Sequence, residues 1–183
     1  MEVAQPDRRA DLLSFLFAGL QAGMLAAMWM LAWLGVCAVW QRSSFWTAEN
    51  LLASTFFGTS AIRSGFSLST FSGIALYLFI YSALGCLFAL GLRNRLARPQ
   101  LLLLLVLLSV AWYYLSFHGF WKIFNPLMAL LHAERPMILG HFLYGVVIAR
   151  YPKYLNSRPV SDSQIDAVQP DSQVVVADSE KTG

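Results

Sequence analysis

Three stretches of this chain, residues 12–40, 68–92 and 101–121, each run without a single Asp, Glu, Lys or Arg. Nothing else in the sequence restricts the fold so severely. A hydrocarbon core is crossed by helices of ~20 predominantly apolar residues. There every backbone N–H and C=O must be satisfied within the structure, which leaves helices or closed barrels. The apolar residues lie in continuous blocks rather than in alternation, so helices are expected. The rest of the composition agrees. The 183 residues are 57% hydrophobic and only 13% charged, against about 25% charged in a typical soluble domain.

A fourth apolar run, residues 137–149, is short for a span. Pro136 and the 150–154 end extend it, with the Arg150 stem lying along the apolar surface and its guanidinium in the interface. The expected fold class is therefore an all-α membrane protein with four transmembrane helices, spanning about 12–40, 68–92, 101–121 and 136–150. Residues 1–11 form a short leader, and 12–154 form one four-helix transmembrane domain. Residues 155–183 form an acidic tail that cannot bury enough surface to order itself. The first block is longer than a signal-peptide core and lacks a small-residue cleavage pattern, so it is expected to be retained. The connections 41–67 and 122–135 are too polar to span. The first contains SFWTAENLLASTFFG, which suits an interfacial or shallow re-entrant helix.

The net charge of +3 does not point to a nucleic-acid partner, because Lys and Arg flank the apolar blocks instead of forming one basic face. They report orientation. With four spans, Arg8, Arg9, Arg93, Arg95, Arg98, Arg150, Lys153 and Arg158 fall on one side. Arg42, Arg63, Lys122 and Arg135 fall on the other. The excess puts both termini in the cytoplasm. Cys37 and Cys86 both sit within apolar blocks, where a cysteine packs as a small hydrophobe, and no disulfide is expected.

Small residues mark the expected helix contacts. Gly19, Gly23 and Ala27 recur every four residues in the first block, a pattern that lets another backbone approach closely. In the second block Ser69, Gly73, Tyr77, Tyr81 and Gly85 do the same, with phenols in the middle. This stripe is expected to be a helix–helix contact with tyrosine hydroxyls bonded across it; a wet pathway lined by Tyr77 and Tyr81 is the alternative. Gly140 and Gly145 supply small residues to the fourth run. The leucine-rich start of the third block shows no face and is expected to meet lipid on all sides.

The two outward connections resemble each other. Phe45-Trp46-x-x-x-Asn50-x-Leu52 matches Phe120-Trp121-x-x-x-Asn125-x-Leu127 at a constant offset, and the helices that follow share Gly73-x-x-Leu76-Tyr77 and Gly140-x-x-Leu143-Tyr144. A two-helix unit copied once accounts for this and would give parallel repeats. Chance similarity in a composition rich in Phe, Trp and Leu is the alternative. Either way Asn50, Asn125 and Tyr144 are candidate polar-face residues.

All three histidines lie between residues 112 and 154. His118 near the end of the third helix and His141 near the start of the fourth are expected at similar depth. His132 belongs to the connection between them, beside Glu134. Imidazole and carboxylate suit zinc, iron or copper, and two histidines on facing helices suit haem. His118, His141 and Glu134 are thus the candidate ligands, although no metal-binding spacing is present. The plainer reading gives each histidine a tyrosine, serine or carbonyl partner, Tyr114 for His118 and Tyr144 for His141. Ser116 precedes His118 by two, about 200° around a helix, so no local Ser–His dyad forms. No catalytic residue is assigned.

The segments NLLASTFFG (50–58), WYYLSF (112–117), NPL (125–127), RPMILGHFLYG (135–145) and the RYPKY ending resemble small four-helix membrane proteins of bacteria. The resemblance runs from about Phe17 to Tyr154. It implies a bacterial inner membrane and brings no activity with it. The leading functional reading is a non-enzymatic membrane protein acting through protein or lipid contacts, as a homo-oligomer or with a membrane partner. A metal or haem site at His118 and His141, and a small-solute or proton pathway in an oligomer, are the alternatives. The inside-facing tail predicts that alkaline phosphatase fused to the C-terminus is inactive in cells; an active fusion would reverse the orientation.

Overall fold

The computed structural model describes residues 8–92 and 96–155, and every regular element among them is helical. In order these are α1 (Arg8–Trp40), α2 (Thr47–Phe57), α3 (Thr59–Arg63), α4 (Leu68–Leu92) and α5 (Arg98–Leu115). A π turn over Ser116–Phe120 then leads into α6 (Trp121–Phe124), followed by α7 (Pro126–Leu131), α8 (Glu134–Ile148) and α9 (Tyr151–Leu155). Residues 1–7 of the expected leader, residues 93–95 and the expected tail from residue 156 onward lie outside the described residues.

Three helical stretches are long and apolar enough to cross a membrane: Asp11–Trp40, Leu68–Leu92 and Arg98–Phe124. The third runs past α5 because the π turn keeps the chain helical. It stops where Asn125 turns extended before Pro126, which has no N–H to continue the ladder. The Asn125 side chain accepts from the Met128 N–H, starting α7 as its N-cap. Helix α8 has 15 residues, about 22 Å at 1.5 Å per residue, short of a core ~30 Å thick.

Helix α1 packs along α4 and also against α8, α8 packs along α5, and α2 lies across α4. Helices α4 and α5 follow one another in sequence but do not pack together along their lengths. The small-residue stripes set this arrangement. A Cβ on Gly19 would lie 2.7 Å from the Gly85 carbonyl oxygen, and one on Gly85 would lie 2.5 Å from that of Gly19. Gly23 belongs to the same contact, 2.9 Å from the Tyr81 carbonyl oxygen. Gly73 admits the backbone of α2 at Glu49, and Gly145 admits that of α5, where an added Cβ would lie 2.6 Å from Val106 Cα. Gly140 faces the side chains of Met30 and Trp33. The expected α4 stripe is therefore a packing face, with Gly73, Tyr77, Tyr81 and Gly85 all buried.

The third block departs from the expectation that its leucines meet lipid all round. Leu101, Leu105, Ser109 and Tyr113 are buried, while Leu102, Leu103 and Leu107 are exposed. The face exists at a spacing of four, hidden because leucine occupies both sides of it. The two matching Phe-Trp-x-x-x-Asn segments also fold differently. Asn50 sits inside α2, whereas Pro126 makes Asn125 a helix start. The cysteines Cys37 and Cys86 are both free thiols.

These contacts predict that Gly145→Val loosens the α5–α8 interface. Overpacking against backbone costs about 1–3 kcal/mol, measurable as a lowered unfolding midpoint in detergent. Gly91→Ala should be neutral or mildly stabilising, since nothing lies within 4 Å of the added carbon and alanine favours helix by ~1 kcal/mol.

Candidate functional site

The buried polar groups gather where α2, α4, α5 and α8 meet. His141, on the face of α8 turned to the bundle, has no exposure. Its Nδ1 lies 2.8 Å from the Met137 carbonyl one turn back. A carbonyl only accepts, so Nδ1 carries the proton. Nε2 is then the acceptor for the Tyr81 hydroxyl at 2.8 Å. Tyr144, three residues on, donates to the Tyr81 carbonyl at 2.6 Å. The Ser109 hydroxyl of α5 donates to the His141 carbonyl at 2.6 Å. Two hydrogen bonds thus tie α8 to α4 and one ties it to α5. His141 is satisfied by a tyrosine and a carbonyl, as the plainer reading expected, but the tyrosine is Tyr81 across the interface and not Tyr144.

His132 repeats the arrangement. Nδ1 donates to the Ala129 carbonyl at 2.9 Å, and Nε2 takes the Tyr113 hydroxyl at 3.1 Å. The Tyr113 ring also lies 5.2 Å from the His141 ring, and Phe117 lies 4.2 Å from that of His132. The neighbour of His141 through these rings is thus His132, from the connection, rather than His118. His118 is exposed, with its ring 5.7 Å from Tyr114. The cause is helical phase: Tyr113, Ser116 and Phe117 face inward, and the next residue turns out. The structure does not bring His118 and His141 together, and Glu134 is exposed at the first turn of α8. Among the described residues no group of three or more His, Cys, Asp or Glu side chains could hold a metal ion.

Asn50 and Asn125 are structural ties. Asn50 donates to the Gly65 carbonyl at 2.6 Å and accepts from the Thr70 hydroxyl at 2.7 Å, fixing α2 to the start of α4. Asn125 donates to the Ser54 and Thr55 hydroxyls at 3.0 and 2.9 Å, fixing the α6–α7 corner to α2.

Glu49 and Tyr77 stand apart from these ties. Glu49 is 1% exposed and its Oε2 has no hydrogen-bond partner among the described residues; Tyr77 is 2% exposed and its hydroxyl likewise has none. They are neighbours by construction, because Gly73 rests on the Glu49 carbonyl and Tyr77 follows one turn later on the same face. Tyr77 also stacks on Tyr81, ring centroids 4.4 Å apart. These two rings, with Trp112, Ser116, Phe120 and Trp121, line a cavity of about 140 Å³ between α4 and the stretch that runs from the end of α5 through the π turn into α6, closed by Leu52 and Met128. A second cavity of about 150 Å³ lies between α1, α2 and the α7–α8 corner, with Cys37 and His132 in its wall. Glu49 was visible in the sequence only as a lone acid in an aromatic segment. Ser109 and Tyr113 could have been found from their spacing of four after Leu101 and Leu105.

Burial pushes the Glu49 carboxyl from its ordinary 4.5 up to about 7. Between those values the folded chain keeps a proton that the unfolded chain has released. Stability therefore falls as pH rises through that window and stays lowered above it. At ~1.4 kcal/mol for each pH unit between the two values, the loss is on the order of 3 kcal/mol. Glu49→Gln should remove it, so its stability advantage over wild type in denaturant titrations should grow from pH 4.5 to 7. A difference independent of pH would place the carboxylate in a solvated setting. No protein-family model, curated protein or solved structure matches this chain.

Proposed function

We propose that this chain is a four-span membrane protein that performs no chemistry of its own and works by holding a lipophilic partner against its α4–α5 side. The observation that carries this is the gap itself. Two consecutive membrane-length helices do not pack along their lengths, and an aromatic-lined cavity lies between them. Histidines 132 and 141, the groups best suited to chemistry, are both occupied by tyrosines and carbonyls, which favours binding over catalysis.

The fourth span is α8 continued through the Ala149–Arg150 turn into α9. From Glu134 to Leu155 this path is about as long as a hydrocarbon core is thick. The packing of α8 against α1 and α5, two helices of spanning length, supports it. The distribution of Lys and Arg supports cytoplasmic termini in a bacterial inner membrane, and with it membership of the small four-helix bacterial membrane proteins. A duplicated origin draws support from Tyr77 and Tyr144, which occupy matching motif positions and both touch Tyr81.

Photo-crosslinking in membranes tests the reading. A benzophenone side chain at Phe120, in the cavity wall, should capture one dominant lipophilic species. The same group at Phe142, exposed on α8, should capture only bulk phospholipid. Indistinguishable adducts at the two positions would sink the proposal.

A further inference from the structure

The α4–α5 crevice has properties that select among lipophilic molecules, and the inference drawn from them rests on the reading above. Its volume of about 140 Å³ is close to that of a ~150 Å³ cavity that accepts benzene. The enclosed part therefore fits one six-membered ring rather than a bundle of acyl chains. Its walls are largely aromatic faces: Tyr77 and Tyr81 stacked on α4, and Trp112, Phe120 and Trp121 on the opposite side. None of the lining residues carries a charge, so a phosphate or ammonium headgroup finds no counterion there.

One polar demand remains. The Tyr81 hydroxyl donates its proton to His141, with its oxygen beside the stacked Tyr77 ring, and the Ser116 hydroxyl donates to the Tyr113 carbonyl. The Tyr77 hydroxyl is buried without a partner among the described residues. A buried hydroxyl left unsatisfied costs ~1–3 kcal/mol, a cost that an occupant bearing a hydrogen-bond acceptor removes. The occupant thus has an uncharged ring, an oxygen acceptor on that ring, and an apolar remainder that the gap between α4 and α5 leaves free to lie in lipid. We propose that the crevice binds the head of a prenylated quinone, with a ring carbonyl accepting from the Tyr77 hydroxyl and the isoprenoid tail passing out between α4 and α5. The binding needs no electron transfer and none is included.

Titration of the full chain in lipid nanodiscs with ubiquinone-1 tests this, using tryptophan fluorescence, which quinones quench. Quenching should be saturable, and should lose most of its amplitude in the Trp112→Phe/Trp121→Phe double variant. Tyr77→Phe should weaken binding about tenfold, the worth of one hydrogen bond to a neutral acceptor. Ser116→Phe, which fills the cavity, should abolish it; Met128→Phe serves the same end where the first variant misfolds. Dodecylbenzene, which has a ring and a tail but no oxygen, should compete at least tenfold less well. If dodecylbenzene competes equally and Tyr77→Phe binds ubiquinone-1 as wild type does, the quinone assignment is overturned while a crevice for apolar chains stands. If neither probe binds saturably and the filling variants change nothing, both the assignment and the binding function fall.

Discussion

The contact between the backbones of α1 and α4 at Gly19 and Gly85 holds the rest of the structure in place. Inside lipid, apolar side chains gain little by meeting one another, so helices associate through close backbone approach and interhelical hydrogen bonds. Gly19, Gly23 and Gly85 let α1 and α4 touch main chain to main chain. That approach leaves a shallow trough in which α8 sits, with Ile148 against Gly85. With α8 seated there, Tyr81 and His141 come within hydrogen-bond distance, and Tyr144 reaches the Tyr81 carbonyl. The polar bonds are thus downstream of the glycines: they specify the depth at which α8 settles once the backbones have met.

The separation of α4 from α5 follows from the same geometry. Gly145 draws α5 onto α8, and Gly73 draws α2 onto α4. Helix α8 therefore stands between α4 and α5, and the short helices α2 and α7 reach across the end of the bundle, tied by Asn125 to Ser54 and Thr55. The crevice is what remains when α1 packs on both α4 and α8 while α5 packs on α8 and not on α4.

Much of this was legible in the sequence. Charge-free blocks located the long helices to within a few residues, and the Gly19/Gly23 and Gly73/Gly85 stripes lie where backbones approach closely, which demands small side chains. The third block resisted reading because burial and lipid exposure both favour leucine; only Ser109 and Tyr113, polar residues in phase with Leu101 and Leu105, betray its inner face. The histidines misled for a different reason. Depth along the helices placed His118 beside His141, but depth says nothing about phase, and a single step from Phe117 to His118 turns the side chain outward. His132 then reached the interior from a connection that polarity alone assigned to the water-facing surface. The two matching Phe-Trp-x-x-x-Asn segments fold differently because of one residue: Pro126 cannot supply the amide that the corresponding Leu51 contributes to α2.

The polar groups in the interior fall into two sets, and the division has a physical basis. Those facing α8 or the α7–α8 corner all have partners: His141 with Tyr81 and Met137, His132 with Tyr113 and Ala129, Ser109 with the His141 carbonyl. An unpaired group in such a low-dielectric setting costs as much as the hydrogen bond it lacks, and here the sequence has answered each. Glu49 and Tyr77 are exceptions, and both lie around the Gly73 contact between α2 and α4. Tyrosine at position 77 serves packing no better than phenylalanine would, since its ring alone stacks on Tyr81. Its hydroxyl brings a desolvation cost that the fold leaves unanswered while answering every comparable cost along α8. A polar atom under those terms, in the wall of a cavity the size of a ring, is the group that the proposed occupant would satisfy.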